Sequence, residues 1–559
     1  LDISGPYSGA DPDGTLRIFL KLRPKLSPAK LKLQSKLYPP LTVALTGMQD
    51  AGAKGDLEFT KFYVKYTKRV ADKARKELEA LPEVRRFVRK MQRKHREKEG
   101  RRDAWKLNLN SPPQLRYICF KILKREELFH TEKGLPKTNK VSLKAWVRHD
   151  KCEFSKKLLQ YRKYEKLHST YALGGLEHQE AFEGFIRGYF RILGARTGRL
   201  ASSGPNLQNQ DRISRRMYVS RFGKKGCIVA MDYSQAELRV LASISGDEAM
   251  LRVYRDGLDI HKNTMSAVYG ISLEEIKKLE ETNPTDYEYK RTICKRVVFG
   301  VAYCIAAMGL ANLLFGEGIE ISQEEAQEYI DKFMRLYKGV ARWIEDEKKK
   351  VRKYGKSESP MGRVRKLLMA LGDLSDPEER KRVNEAIRQG VNAVIQGAAS
   401  DLTLTSIILI DREIRKRGLK SRLFLTVHDS IAVDCPIEEA AEVAEFSKHI
   451  MENVHKLSAS VWGKDFDWSW IKCPLGADVK IGVTWRDGIG YDPSLKESTK
   501  KSKKTVSEAI AASIQTRDAE DEKMRQEYRE TIKWHRAHAR GESDDRHRSK
   551  RSDTSTVSC

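Results

Sequence analysis

Two short apolar runs, far apart in the chain, end in the same way. Cys227-Ile228-Val229-Ala230-Met231 runs into Asp232, and Leu423-Phe424-Leu425-Thr426-Val427-His428 runs into Asp429. Each has the length and apolar make-up of a buried strand. The first is followed almost at once by a helical pattern. The second continues through Ser430 to Pro436 with apolar residues on both sides of a polar tip, the mark of a β-hairpin. If the two runs are neighbours in one sheet, their carboxylates converge at one edge. Two converging acids repel unless cations lie between them, and Mg²⁺, a hard ion with oxygen ligands, suits phosphate chemistry. The plainer alternative is that Asp232 only caps the helix that follows it.

The surroundings of these acids are basic. The 559 residues carry a formal net charge of +29 with a pI of about 9.6. Such a surface suits a polyanion, bound through its phosphates with counterion release. An anionic membrane surface is the rival partner. No run of eighteen apolar residues and no signal-peptide pattern is present, which points to a soluble protein. The eight cysteines form no CxxC pair, so reduced thiols in a cytosol-like compartment are expected. The length implies two to four domains. The first residue is leucine, as in a fragment, a processed product or an incomplete reading.

Along the chain, residues 1 to about 36 are rich in Pro, Gly and Lys and show no long periodicity. From Leu57 a long helix is predicted by the spacing of Phe59, Phe62, Tyr66, Val70, Ala74, Leu78 and Leu81. A basic face continues through Arg85–Arg102. Asp56 and Glu58 read as acids at that helix's N-terminus. Ser111 and Pro112 mark another helix start, with Leu115, Ile118 and Ile122 on one face. Residues 285–303 and 322–354 read as helices. Beyond about residue 490 the composition turns polar, with a weak helical pattern through Val506, Ile510, Ile514, Met524, Tyr528 and Ile532. The last twenty residues have the composition of disorder.

A second constellation adds to the acids. Arg291, Lys295, Phe299 and Tyr303 recur every four residues and share one helical stripe. Two cations suit a triphosphate, and two rings suit a sugar and a base. A core-facing aromatic stripe is the alternative, but Ile293, Val297, Val298 and Val301 already supply an apolar side.

These residues carry a family resemblance. "DYSQAELR" (232–239), "RTICKRVVFGVAY" (291–303) and "VHDS" (427–430) resemble the three palm and fingers motifs of family A DNA polymerases, the bacterial polymerase I type. "TGRLASSGPNLQN" (197–209), "DIHKNT" (259–264) and "NAVIQGAASDL" (392–402) stand in the family's order, and the likeness covers roughly residues 37–487. It implies an α+β right-hand architecture: a palm with an antiparallel sheet, and helical fingers and thumb. In that scheme 1–36 is a remnant or linker and 37–190 the thumb with the start of the palm. Palm (191–260), fingers (261–384) and palm again (385–487) follow, then a basic, partly disordered tail (488–559).

For the site, the resemblance implies that Asp232 and Asp429, with the Tyr233 carbonyl, bind two Mg²⁺ ions. Arg291, Lys295, Gln235 and His261 would hold the incoming triphosphate, with Lys295 also a general acid toward pyrophosphate. Phe299 would pack against the sugar, and Tyr303 would stand where the templating base arrives. Glu237 would gate against a ribose 2′-OH and bond to Tyr303. Arg199, Gln208, Asn392, Gln396 and His428 would line the minor groove at the primer end. The implied partners are primer–template DNA and deoxynucleoside triphosphates, with no membrane, for a monomer served by a separate exonuclease or processivity factor. The compartment would be the cytoplasm of a bacterial or virus-infected cell, or an organelle matrix.

Three departures stand out. The family commonly has an acid where this chain has Ser430, and a glycine where it has Cys304. The N-terminal part is also too short for a 3′–5′ exonuclease domain. Two other readings stand beside the main one: a single-subunit RNA-polymerase-like enzyme, which Glu237 argues against, and a non-catalytic nucleic-acid-binding relic, which the intact Asp232, Asp429, Lys295 and Arg291 argue against.

Overall fold

Alternation of side chains organises the centre of the molecule. The computed structural model describes residues 4–26, 28–99, 105–131, 133–464, 466–493 and 505–539. In chain order, the helices and strands that frame the site begin with α1 (Leu57–Ala80) and α2 (Pro82–Glu99). Next come β1 (Gly226–Tyr233), α3 (Ala236–Ser245), α4 (Ile260–Tyr269) and α5 (Pro284–Ala302). Then follow α6 (Gln323–Leu336), α7 (Lys338–Tyr354) and α8 (Pro377–Lys416). The hairpin β2 (Arg422–Val427) and β3 (Ser430–Pro436) precedes α9 (Ala440–Glu452), β4 (Ala477–Gly482), β5 (Ile489–Tyr491) and α10 (Val506–Ala539).

The five strands form one antiparallel sheet in the order β5-β4-β1-β3-β2. The two acid-tipped runs are therefore not neighbours: β3 lies between β1 and β2. Side chains opposite each other across antiparallel strands share a face. Val229, Met231, Val433, Ile431, Val479 and Ile481 are all buried. Residues 230, 232, 430, 478 and 480 occupy the other face. The sheet thus separates a core from a polar surface, and α9 packs on β1 and α8 packs on both α3 and α9.

Local chemistry sets the helix ends. Asp56 caps α1 by accepting Phe59 N–H at 3.0 Å. Asn283 accepts from Asp286 N–H at 3.2 Å, with Pro284 in the first turn of α5. Ser322 and Glu325 form a reciprocal capping box at α6. The single helix expected over 322–354 is broken at Tyr337 (φ −110°, ψ 68°). There the Asp247 carboxylate accepts the N–H groups of Gly339 (2.6 Å) and Val340 (3.3 Å), restarting the chain as α7. Gly339 suits this approach, since a Cβ would come 2.8 Å from the Asp247 Cα.

The N-terminal segment differs from expectation, and the weak helical pattern near the C-terminus proves to be one long helix. Residues 4–26, expected to lack periodic structure, contain the helix Ser4–Leu22, and Leu33 and Leu37 are buried in the main core. In the segment expected to be a basic, partly disordered tail, 34 residues form the single helix α10. Its seven Asp and Glu balance six Lys and Arg, so this part is not basic. Residues 540–559, expected to be disordered, lie outside the described residues. The helix survives because it buries Ala509, Ile510 and Met524 and packs on α1, β4 and β5. Arg216 links Asp56, at the cap of α1, to Asp521 of α10.

Among the described residues only α8 is long and apolar enough to cross a membrane, and 94% of its apolar window is buried inside the protein.

Candidate active site

The β2–β3 hairpin carries one acid to the other. Asp232 stands opposite Ser430 in the β1–β3 register. Asp429, immediately before Ser430, lies in a two-residue turn closed by the Val427–Ser430 pair. Its carbonyl accepts Tyr233 N–H at 3.3 Å. Turns this tight need a left-handed residue, and His428 takes that place at φ 56°. A side chain there costs about 1–2 kcal/mol, strain of the kind that gathers at working sites. Asp232 does not cap α3: Gln235 occupies that position, at φ 56°.

Both carboxyls are electrostatically uncomfortable. Although Asp232 opens onto a cavity, desolvation by the surrounding protein pushes its pKa up to about 6, with Asp429 and Asp478 adding to the effect and Lys480 and Arg215 opposing it. Burial also raises Asp429, against the pull of Arg199. Asp429 Oδ1 lies 3.8 Å from Arg199 Nη2 and is buried without a hydrogen-bond donor. Buried polar atoms are rarely left so. Two carboxylates and nearby backbone carbonyls are hard oxygen donors, which fits Mg²⁺ or a similar divalent ion. Among the described residues no group of three or more His, Cys, Asp or Glu side chains could hold a metal together. The pair is thus no closed protein cage, in keeping with an ion whose remaining ligands come from substrate or water.

The cavity measures about 700 Å³. Asp232, Asp429 and the Tyr233 main chain meet Arg199, Gln235, Glu237 and His428 there, together with Phe299 and Tyr303. The Tyr233 ring is buried, its hydroxyl 2.8 Å from the Met451 carbonyl. Glu237 is 7% exposed and accepts hydrogen bonds from both Tyr303 and Arg199. Burial raises its pKa against those two donors. Tyr254 donates to Gln235 Oε1 at 2.9 Å.

Helix α5 presents the second group. Ile293, Val297, Val298 and Val301 are buried, while Arg291, Phe299 and Tyr303 are half-buried and Lys295 is exposed. The stripe therefore faces away from the core. Asp259, the cap of α4, binds Arg291 Nη1 at 2.9 Å and also accepts His261 N–H at 2.7 Å. The His261 ring lies 5.8 Å from that of Phe299. Burial pushes the His261 pKa down to about 4, helped by Arg291 and Lys295 and opposed by Asp259. The imidazole is therefore neutral at pH 7, and its Nδ1 is buried without a partner. Arg291, Lys295 and His261 do not line the cavity; Phe299 joins them to it.

The expected minor-groove residues divide. Arg199 and His428 line the cavity, whereas Gln208, Asn392 and Gln396 do not. Gln208 donates to the Thr426 carbonyl at 3.3 Å. Gln396 hydrogen-bonds Tyr303 from α8, and Asn392 Oδ1, one turn away, is buried and unpartnered.

Sequence reading missed Asp478, Lys480 and Arg215, which also line the cavity. The alternation in Asp478-Val479-Lys480-Ile481 places the two charged residues on one strand face. Only the register with β1 reveals that this face is the one carrying Asp232.

The profile described as DNA polymerase family A matches residues 77–487. A DNA polymerase of Bacillus phage SP01 is 36% identical over 374 residues, 65% of this chain and 38% of that protein. DNA polymerase I of Chloroflexus aurantiacus is 31% identical over 86% of this chain and 46% of its own length. The thermostable DNA polymerase I of Thermus aquaticus is 34% identical over 68% of this chain and 42% of its own length. This chain thus spans less than half of each of these relatives. The POL domain of Pol1 from M. smegmatis, solved in complex with DNA primer-template and dNTP, superposes with a TM-score of 0.67. That match has 26% identity and covers 82% of this chain and 71% of the other.

Proposed function

The chain belongs to DNA polymerase family A, and from that premise we propose that it is a template-directed DNA polymerase. It adds deoxynucleoside monophosphates to a primer 3′-OH and releases pyrophosphate. The observation that carries this reading is the meeting of Asp232 and Asp429, with Asp429 Oδ1 buried and unpartnered, at the edge of a cavity walled by Glu237 and Tyr303. Family A polymerases are generally metal-dependent. Asp232, Asp429 and the Tyr233 carbonyl would hold two Mg²⁺ ions, which would supply charge stabilisation to the phosphoryl transfer.

The chain's own residues do the rest by positioning. Arg291 and Lys295 meet the triphosphate as fixed charges. Arg291 arrives already oriented by Asp259, so little ordering is needed on binding. Lys295 gives a proton to the departing pyrophosphate. His261, neutral, contributes a hydrogen bond rather than a charge. Phe299 supports the sugar, and Gln235, held by Tyr254, borders the nucleotide. Glu237 occupies the space a 2′-OH would need, fixed by Tyr303 and Arg199. Arg199, His428, Gln208, Gln396 and Asn392 read the primer end through the minor groove.

Primer extension by the purified chain tests this. Extension with Mg²⁺ and dNTPs is expected, with loss on chelation and strong preference over NTPs. No extension under those conditions overturns the proposal, and equal use of NTPs overturns the deoxynucleotide assignment.

A further inference from the structure

Three strands put three side chains in one row. Asp478 of β4 pairs with Asp232 of β1, and Asp232 pairs with Ser430 of β3. Directly opposed residues in antiparallel strands project to the same face, with Cβ atoms about 4.5–5.5 Å apart. All three residues line the cavity. On one side of Asp232 stands a hydroxyl that is turned inward, donating to the Met231 carbonyl at 3.0 Å. On the other stands a carboxylate. Asp478 is held in place, accepting from Ser234 Oγ at 2.7 Å while Ser234 N–H donates to the Gly476 carbonyl at 2.8 Å.

We infer that Asp478 supplies a third negative charge to the two-aspartate centre, from the side of Asp232 opposite to the neutral Ser430. The inference rests on the reading of Asp232 and Asp429 as holders of divalent cations. Asp478 stands beyond Asp232 in the row, tied to Ser234, and is assigned as a positioning residue. Its charge acts on cations that its neighbours hold. At separations of this order, inside a partly desolvated cavity, one unit charge is enough to shift an ion's occupancy by an order of magnitude or more. The competing view is that Asp478 serves only to anchor Ser234.

Direct cation binding separates these views. Mg²⁺, and in parallel Mn²⁺, is titrated calorimetrically into the full chain without DNA, and primer extension is followed as a function of Mg²⁺. Asp478→Asn is expected to weaken divalent-cation affinity about tenfold and to raise the half-saturating Mg²⁺ by a similar factor. Asp478→Glu should bind close to the unaltered chain. Ser234→Ala removes the hydrogen bond but keeps the charge, and should leave affinity unchanged. Ser430→Asp placed in the Asp478→Asn background should restore much of the loss, because it returns a charge to the same row. Unaltered cation affinity in Asp478→Asn overturns the inference, as does an equal loss in Ser234→Ala. If the unaltered chain neither binds divalent cations nor extends a primer, the underlying reading of the site falls and takes this inference with it.

Discussion

Tyr303, which caps the C-terminus of α5, donates its phenolic hydrogen to Glu237 in the first turn of α3. The C-terminal end of α5 is thereby tied to the helix that follows β1. Arg199 holds the same carboxylate from a third segment.

Glu237→Ala removes this shared acceptor and opens space in the cavity wall. The ratio of kcat/KM for dNTP over NTP is expected to fall at least tenfold, about 1.4 kcal/mol of discrimination, with a smaller loss in dNTP use. Competing incorporation of matched dNTP and NTP measures it. An unchanged ratio removes Glu237 from the gate.

Asp232→Asn should abolish extension, by a thousandfold or more in kcat, and yet stabilise the metal-free protein at pH 7. The sign follows from the raised acid. Ionised Asp232 weighs against folding above its folded pKa of about 6, and the cost vanishes below the ordinary value of 3.8. Because the group opens to solvent, screening reduces the gain to about 1 kcal/mol. Melting in chelator should therefore show a higher Tm for the variant at pH 7 and none of that advantage near pH 4.

His261→Gln should raise KM for the nucleotide several-fold without changing the pH profile between 6 and 8. With its pKa held near 4, the imidazole does not titrate in that window. A pH-dependent defect that appears only in the variant or only in the parent would contradict a neutral role.

Asp521→Asn should destabilise the join between α10 and the rest of the chain. The Asp521 carboxylate serves Arg216 at 2.8 Å and Arg486 at 3.2 Å, both with buried side chains. Hydrogen bonds to charged groups are worth about 1.5–3 kcal/mol, and Asp56 and Asp487 retain part of the compensation. A loss of about 2 kcal/mol is expected in urea unfolding, with faster hydrogen exchange in α10 than in α8.

Part of this site could be read from the residues alone, for a definite reason, and the rest of what was expected came only with the family resemblance. Strand ends, helix stripes and hairpin tips are local, so Asp232, Asp429 and the Arg291–Tyr303 stripe declared themselves by spacing. Register is not local. Nothing in "ADVKIG" says that Asp478 will lie beside Asp232, and nothing in the acid-tipped runs says that β3 will separate them. Tertiary partners also decided the break at Tyr337, which depends on an acid ninety residues earlier, and the persistence of α10, whose own periodicity is weak. Cys304 shows the same limit. Its left-handed backbone, at φ 53°, agrees with a position that commonly takes glycine, but its partial burial against the main core is visible only in three dimensions.

The course of α10 has a mechanical meaning. Ser513 accepts the Val483 N–H just past β4, while Glu527 accepts the hydroxyl of Tyr66 midway along α1. One stiff rod therefore spans from the strand bearing Asp478 to the helix that opens at Asp56. The rod meets the sheet past the end of β4 remote from Asp478, next to the Gly482–Ile228 pair, so it braces the far margin of the sheet and the middle of α1 together.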